Sequence, residues 1–467
     1  MFPNCFLTVA LLVSMPLVGD DAAAGDRLVV HEWGTFTSFQ NERGEAFRYL
    51  NTNDEPVPGF VHELRKQGVY RYWPTELPPV VQGAPLAHED VTMRLETPVI
   101  YFHPPKSHSA ELTLDVDVEF HGGWLTQFYP TAEASVIGAK ATGFRWADLN
   151  ENTVGQLSWK SLNVGSRGMG PETTEPVWTA PRAVAAAQVS CSGESERFLF
   201  YRGVAHLEAP LRVVRDKRSP DTLHIVTQAD KSSPLVGRRT KIDGVWLADV
   251  RPDGTVAFRA LPELMLDGKP SQSVATTAGV FGAEEYSKEN LARLRAEMRS
   301  SLEAHGLFAD EGEALLRTWE LSYFQSPGLR LFFMVPRDWT DQKLPLSISV
   351  PADIVRVMVG RIELVTPRQR ETIRRIAQDS TADLRSVVDA MRQLQQDRSR
   401  SDKYKAIASG RGNPDDLGVP VPESYRGFLE LGRFRIALLL DVIERDRQAK
   451  AISHFLGKTQ WKTPSRF

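Results

Sequence analysis

The chain has 467 residues, enough for two or three domains and for a packed core without covalent staples. With 42% hydrophobic and 25% charged residues it has the composition of a folded globular protein, which excludes global disorder. The net charge of −3 conceals an asymmetry: residues 366–467 carry 20 Lys and Arg against 13 Asp and Glu, and the remainder 36 against 46. Acidic and basic residues alternate along that tail. The pattern reads as solvated helix faces, or a region docked on its own acidic body, and argues against a nucleic-acid partner.

The first residues, Met1 to Val18, form a short apolar run with no Lys or Arg, followed by the small-residue stretch Ala22-Ala23-Ala24. This predicts a signal peptide over 1–24 and export to the periplasm or beyond, with an uncleaved anchor as the alternative. No other apolar run reaches membrane-spanning length. Cys5 falls in this segment, so Cys191 is the one thiol of the mature chain and no intrachain disulfide can form. Cys191 reads as a buried, inert thiol, with a reactive one as the alternative.

The mature chain opens on Leu28 to Phe39, a β-branched and aromatic run broken only by Gly34. As a strand it places His31, Trp33, Thr35, Thr37 and Phe39 on one face and Val30, Glu32, Gly34 and Phe36 on the other. Adjacent His31 and Glu32 therefore point apart. Residues 51–90, rich in Pro, Gly and Asn, read as a long, irregular excursion with at most one short helix around Phe60–Gln67. Strands are expected at Val91–Phe102 and Glu111–Phe120, the latter with strict period-two alternation. That alternation describes a sheet with one wet face, hence an antiparallel or sandwich-like arrangement. Further short strands follow at Phe198–Tyr201, Leu211–Val214 and Thr222–Thr227. A hairpin is expected from Gly244–Val250 to Thr255–Ala260 around Arg251-Pro252-Asp253-Gly254.

Near residue 285 the pattern turns helical, with Leu291, Leu294, Met298 and Leu302 at helix spacing and a second helix over Ala309–Leu321. A hairpin is expected from Tyr323–Gln325 to Leu331–Val335, then a buried strand or short helix over Asp353–Val365. Thr366-Pro367 supplies a helix cap. Apolar stripes at Leu384, Val387, Val388, Met391 and Leu394, and at Leu431, Phe434, Leu438 and Val442, predict a helical pair joined by a linker over 399–424. The expected architecture is α+β: a β-rich, sandwich-like domain over 25–280, a mixed α/β segment over 285–365 packing on it, and a helical hairpin region over 366–467.

Six of the ten histidines fall within residues 31–121, and three stand in His-Glu pairs: His31-Glu32, His62-Glu63 and His88-Glu89. Imidazole and carboxylate are the ligands of catalytic zinc, so a metal site is conceivable among the six histidines His31, His62, His88, His103, His108 and His121, and its test is whether His31, Glu32, His88, His103 and His121 converge. No i, i+4 His pair with an intervening Glu occurs, since Lys66 stands where the second His would be. No metal is therefore assigned. The acidic stripe Asp115, Asp117 and Glu119 offers a weaker calcium pattern. A Gly-x-Ser-x-Gly elbow is missing, and Gly165–Gly170 lacks the context of a phosphate loop. Seven tryptophans precede residue 250, Trp33, Trp73, Trp124, Trp146, Trp159, Trp178 and Trp246, and read either as sandwich core or as a sugar- or peptide-stacking wall.

The segments His31-Glu32-Trp33-Gly34-Thr35-Phe36-Thr37-Ser38, Leu95-Glu96-Thr97-Pro98-Val99-Ile100-Tyr101-Phe102, Phe200-Tyr201-Arg202-Gly203 and Arg356 to Leu364 resemble a family of exported bacterial proteins with this opening motif. The resemblance spans most of the mature chain. It implies one exported architecture and carries no activity, cofactor or catalytic residue with it.

Three readings follow. The first is a non-enzymatic ligand-binding or envelope-associated protein with an aromatic and polar cleft. Its binding residues would be His31, Trp33, Thr35, His121, Trp124 and Tyr129, and its ligand a small molecule, sugar or peptide. The second is a metal-assisted hydrolase using histidines within 31–121. The third is a structural protein that binds a partner through its basic C-terminal helices. No cofactor, catalytic residue or oligomeric state is assigned.

Overall fold

The opening strand, Leu28–Gln40, forms the middle of a 15-stranded sheet. The computed structural model describes residues 27–52, 57–66, 80–105, 111–137, 149–228, 235, 237–266 and 273–459. The expected signal peptide over 1–24, with Cys5, lies outside the described residues, as do Trp73, His108 and Trp146.

On one side the opening strand pairs antiparallel with Met93–His103, and on the other it runs parallel to Ala352–Leu364 along its whole length. The strand whose alternation carried the antiparallel expectation, Leu112–His121, does pair antiparallel with Val154–Val164 and Leu346–Ile348, and the parallel neighbour of the opening strand makes the sheet mixed. Alternation reports which face a residue occupies but not the direction of a partner more than 300 residues away. The sheet continues through Gly328–Met334 and the expected hairpin, seen as Val245–Val250 paired with Val256–Leu261. Its other limb runs through Leu199–Ala205 and Gly123–Tyr129 to Val154–Val164. Strands from beyond residue 285 thus lie beside the opening strand, and the division at 280–285 does not divide the sheet.

Both faces of the opening strand are covered, so that of its residues all but Val29 are buried. Leu28, Val30 and Phe36 join a core with Val116, Val118 and Phe120 of the Leu112–His121 strand and with Leu157 and Trp159. On the opposite face Trp33 packs in a second core with Leu294, Met298 and Leu302 of helix Glu289–Ala304 and with Leu315 of helix Ala309–Thr318. Phe39, further along that face, joins a third core with Phe434, Leu438 and Leu439 of the C-terminal helices. Each fully buried large side chain in such a core contributes about 1.5–3 kcal/mol.

The architecture is mixed α/β, β-rich in its N-terminal part and helical at its C-terminal end. Several local expectations are corrected. The short helix allowed around Phe60–Gln67 is a single 3-10 turn, Leu64–Lys66, after a two-residue strand, His62–Glu63, and Gln67 lies outside the described residues. Tyr323–Gln325 is not a hairpin arm but the end of a π-helical turn, Glu320–Gln325. That turn exposes carbonyls of Ser322, Tyr323 and Ser326 that accept from the Arg330 guanidinium, which is how the helix terminus is satisfied. The linker expected over 399–424 holds a helix of its own, Ser401–Ala408. Thr366 caps helix Pro367–Gln378 as expected, its hydroxyl accepting from Gln369 N–H at 3.2 Å. The basic helical region is held to the acidic body by Arg370 on Glu42, Arg433 on Glu96 and Arg445 on Glu45.

Candidate metal centre

His31 sits on the helix-facing side of the opening strand, and His103 reaches the same side from the adjacent strand, where Val29 opposes it. Across from them helix Ala309–Thr318 begins, with Glu311 in its first turn. The sequence favours a start there because a first-turn carboxylate can accept a free N-terminal N–H. Glu311 Oε2 accepts from Phe308 N–H at 2.8 Å.

The same carboxylate meets both imidazoles. His31 Nδ1 lies 2.6 Å from Oε2 and His103 Nε2 lies 3.0 Å from Oε1. The three ligand atoms all fall within 4.8 Å of one another. Neighbouring ligand atoms around a tetrahedral ion with bonds of about 2.1 Å stand roughly 3.4 Å apart, so small movements would admit an ion. Glu311 is wholly buried and His31 nearly so, while His103 is 14% exposed and gives the cluster its one wet side. Phe308 packs on both rings, at 4.6 Å from His31 and 4.8 Å from His103, and is itself 47% exposed.

Burial alone would raise the Glu311 pKa. The hydrogen bonds from His103 and His31, the His31 charge and the Phe308 N–H outweigh it and hold the carboxyl below its ordinary value. The group is therefore an anion suited to a cation. Tyr101, two strand positions from His103 and so on the same face, is pushed well above the ordinary phenol value by burial and by Glu311 and Asp310. It stays a neutral donor, to Pro181 O at 2.9 Å.

The other residues singled out in the sequence lie elsewhere. Glu32 faces the opposite side of the sheet, where it accepts from Tyr201 and Arg356. His88 packs edge-on against Trp124, 5.4 Å between centroids. His62 pairs with Glu194 at 2.9 Å, and Thr131 shares that site. His121 binds Glu119 on the wet face of its own strand at 2.8 Å. Asp115 and Asp117 of the acidic stripe share one cation, Lys160, at 3.6 and 3.0 Å. Trp33, Thr35, Trp124 and Tyr129 are buried, as are Trp159, Trp178 and Trp246. Thr35 binds the Tyr323 hydroxyl within the helix-side core. The six residues of the expected cleft are thus not gathered into one place.

Cys191 is also buried, and burial pushes its thiol up, which keeps it protonated and inert. Sequence reasoning missed Glu311. Its only local signal is its place three residues after the Phe308 helix boundary, which says nothing of two histidines more than 200 residues away. Among the described residues no helix is long and apolar enough to cross a membrane. A scan of family models and a search of curated proteins find nothing that matches this chain.

Proposed function

We propose that this is an exported metalloprotein that holds one divalent transition metal through His31, His103 and Glu311, and that the centre serves metal-assisted hydrolysis. The observation that supports this is the convergence of two imidazole nitrogens and one carboxylate within 4.8 Å, from three separate elements. Two histidines and one glutamate are a donor set used by catalytic zinc, where a fourth position is left to water. A metal bound there would lower the pKa of that water toward about 7 and polarise an incoming carbonyl or phosphoryl oxygen.

The protein's own contribution is positional. His31 and His103 are fixed by strand register, and Glu311 by the helix terminus it caps. Phe308 stands over both rings at the solvent side, where it would exclude bulk water and set what can approach. An aromatic cleft receives less support, because its Trp, Thr and Tyr residues are core.

Metal content of the purified full chain tests the proposal. One equivalent of zinc, or of a neighbouring divalent ion taken up on reconstitution, is expected in the wild type and is lost in His103→Ala. Equal metal content in wild type and variant, or none after reconstitution, contradicts it.

A further inference from the structure

Phe308, Val29 and Val355 surround the histidine cluster with apolar surface. In strand register Val29 opposes His103 and Val355 opposes His31, so both valines share the helix-facing side with the imidazoles, and both are half-buried. The turn before helix Ala309–Thr318 closes onto Val355: at Gly306, with φ +105°, a Cβ would stand 3.1 Å from a Val355 methyl. That turn carries Phe308 over both rings with 47% of its surface still exposed. A ring half in water beside two half-buried valines is apolar area that a ligand can cover.

The acids around the cluster outnumber the cations. Next to Glu311, Asp310 is an exposed acid fixed by two backbone donors, Ala185 N–H at 2.8 Å and Glu311 N–H at 3.0 Å. Asp353, in register with Val29, is a further acid, offset by Arg27 at 3.8 Å. Arg197 acts on Tyr101 from behind, with Glu196 beside it, and donates to Val184 O. Among the described residues no Lys or Arg forms an ion pair with Glu311 or Asp310.

A site for phosphoryl groups needs the opposite, guanidinium or ammonium donors or free N–H groups at a helix N-terminus. At this helix terminus the Phe308 and Glu311 N–H groups are spent on the protein's own carboxylates, Glu311 and Asp310. A phosphate dianion would bring charge to a place where two carboxylates already face the bound ion.

We propose that the centre takes neutral carboxylic esters or amides with an apolar acyl chain, which lies against Phe308, Val29 and Val355, and that it rejects phosphate esters. This rests on the metal-assisted hydrolysis proposed for the same site and narrows it from carbonyl or phosphoryl groups to acyl ones. Water adds its oxygen to the acyl carbon and the C–O or C–N bond breaks. One water proton passes to the leaving alcohol or amine, and the other is released as the acid ionises. The ring and the valines supply binding that grows with chain length, and Asp310 disfavours an anionic group beside the scissile bond.

The visible spectrum of the cobalt-loaded full chain is the readout, titrated with alkyl hydroxamates from acetohydroxamate to hexanohydroxamate and with inorganic phosphate. Each added methylene is expected to lower Kd about two- to threefold, short of the roughly fourfold of complete burial. Phosphate is expected to leave the spectrum unchanged at concentrations where hexanohydroxamate saturates it. Phe308→Ala should flatten the dependence on chain length, and Asp310→Asn should let phosphate perturb the spectrum. With zinc bound, p-nitrophenyl butyrate should be hydrolysed in preference to p-nitrophenyl phosphate. A wild-type Kd independent of chain length, phosphate bound more tightly than the hydroxamates, or the reverse order of turnover overturns the acyl assignment and leaves the metal centre standing. A full chain that takes up no cobalt overturns both.

Discussion

His31 and Glu311 lie 280 residues apart in the chain, yet His31 Nδ1 stands 2.6 Å from the Glu311 carboxylate. The contact joins the opening strand to the first turn of a helix, and the same carboxylate also caps that helix. Glu311→Ala therefore removes a cap and two imidazole partners at once. Loss of the cap alone costs about 1 kcal/mol, and two orphaned buried groups add to it. Glu311→Gln keeps an acceptor for Phe308 N–H and should recover part of that stability without recovering metal. Urea unfolding of the two variants, each compared with its metal content, checks this separation of roles.

Phe308 is predicted to act as the cover of the site and not as part of its metal-holding set. Phe308→Ala should leave stoichiometric metal in place while speeding its removal by a chelator, because the ring that packs on both imidazoles is gone. Stopped extraction assays of wild type and variant measure the rates directly. Unchanged rates would remove Phe308 from the account.

On the other face of the sheet, Glu32 and Arg356 form a buried pair between the two parallel strands, with Tyr201 donating to Glu32 and Asp341 bound to Arg356 at 2.9 Å. Arg356→Met leaves Glu32 without its cation and is predicted to cost about 3–5 kcal/mol. Glu32→Leu combined with Arg356→Met should restore much of that loss, since an apolar replacement of both partners avoids the orphaned charge. A double-mutant cycle in urea checks it.

Glu96 makes acid stability a specific expectation. Burial raises its pKa, but Arg94, Arg433 and Arg361 outweigh burial and hold the carboxyl at about 2, below the ordinary 4.5. A group whose folded pKa is depressed stabilises fully above its unfolded value and loses that stability as pH falls through the folded one. The loss therefore runs from pH 4.5 down to about 2. It amounts to on the order of 3 kcal/mol. Glu96→Gln should be less stable at neutral pH and should show a flatter fall across that window, which denaturant midpoints measured against pH will show.

Gly34 explains itself by space. A Cβ there would stand 2.9 Å from the Pro98 Cα and 3.2 Å from the Met358 sulfur, in the middle of the sheet. Gly34→Ala is predicted to lower stability by about 1–3 kcal/mol, the cost of overpacking, with the fold retained. Thermal unfolding checks the value.

How much of this was legible in the sequence depends on range. The alternation of the opening strand correctly sent His31 and Glu32 to opposite faces, because side-chain period is a local property of the chain. The same holds for the wet stripe of Asp115, Asp117 and Glu119, the hairpin at Asp253-Gly254 and the Thr366 cap. What was illegible is pairing. Asp353–Val365 read as a buried strand or a short helix, and nothing local fixes the strand found there, Ala352–Leu364, as the parallel neighbour of Leu28–Gln40. The tryptophans were ambiguous for a related reason: whether Trp33 is wall or core depends on helix Glu289–Ala304 arriving over it. Glu311 was invisible because its role arises only when that register and the helix terminus coincide.

X-ray absorption at the zinc edge of the reconstituted full chain tests the central claim most directly. The account predicts a shell of two imidazole nitrogens at about 2.0–2.1 Å and carboxylate or water oxygens at about 2.0–2.2 Å, with one nitrogen scatterer lost in His103→Ala. An oxygen-only shell, unchanged by the substitution, would contradict it.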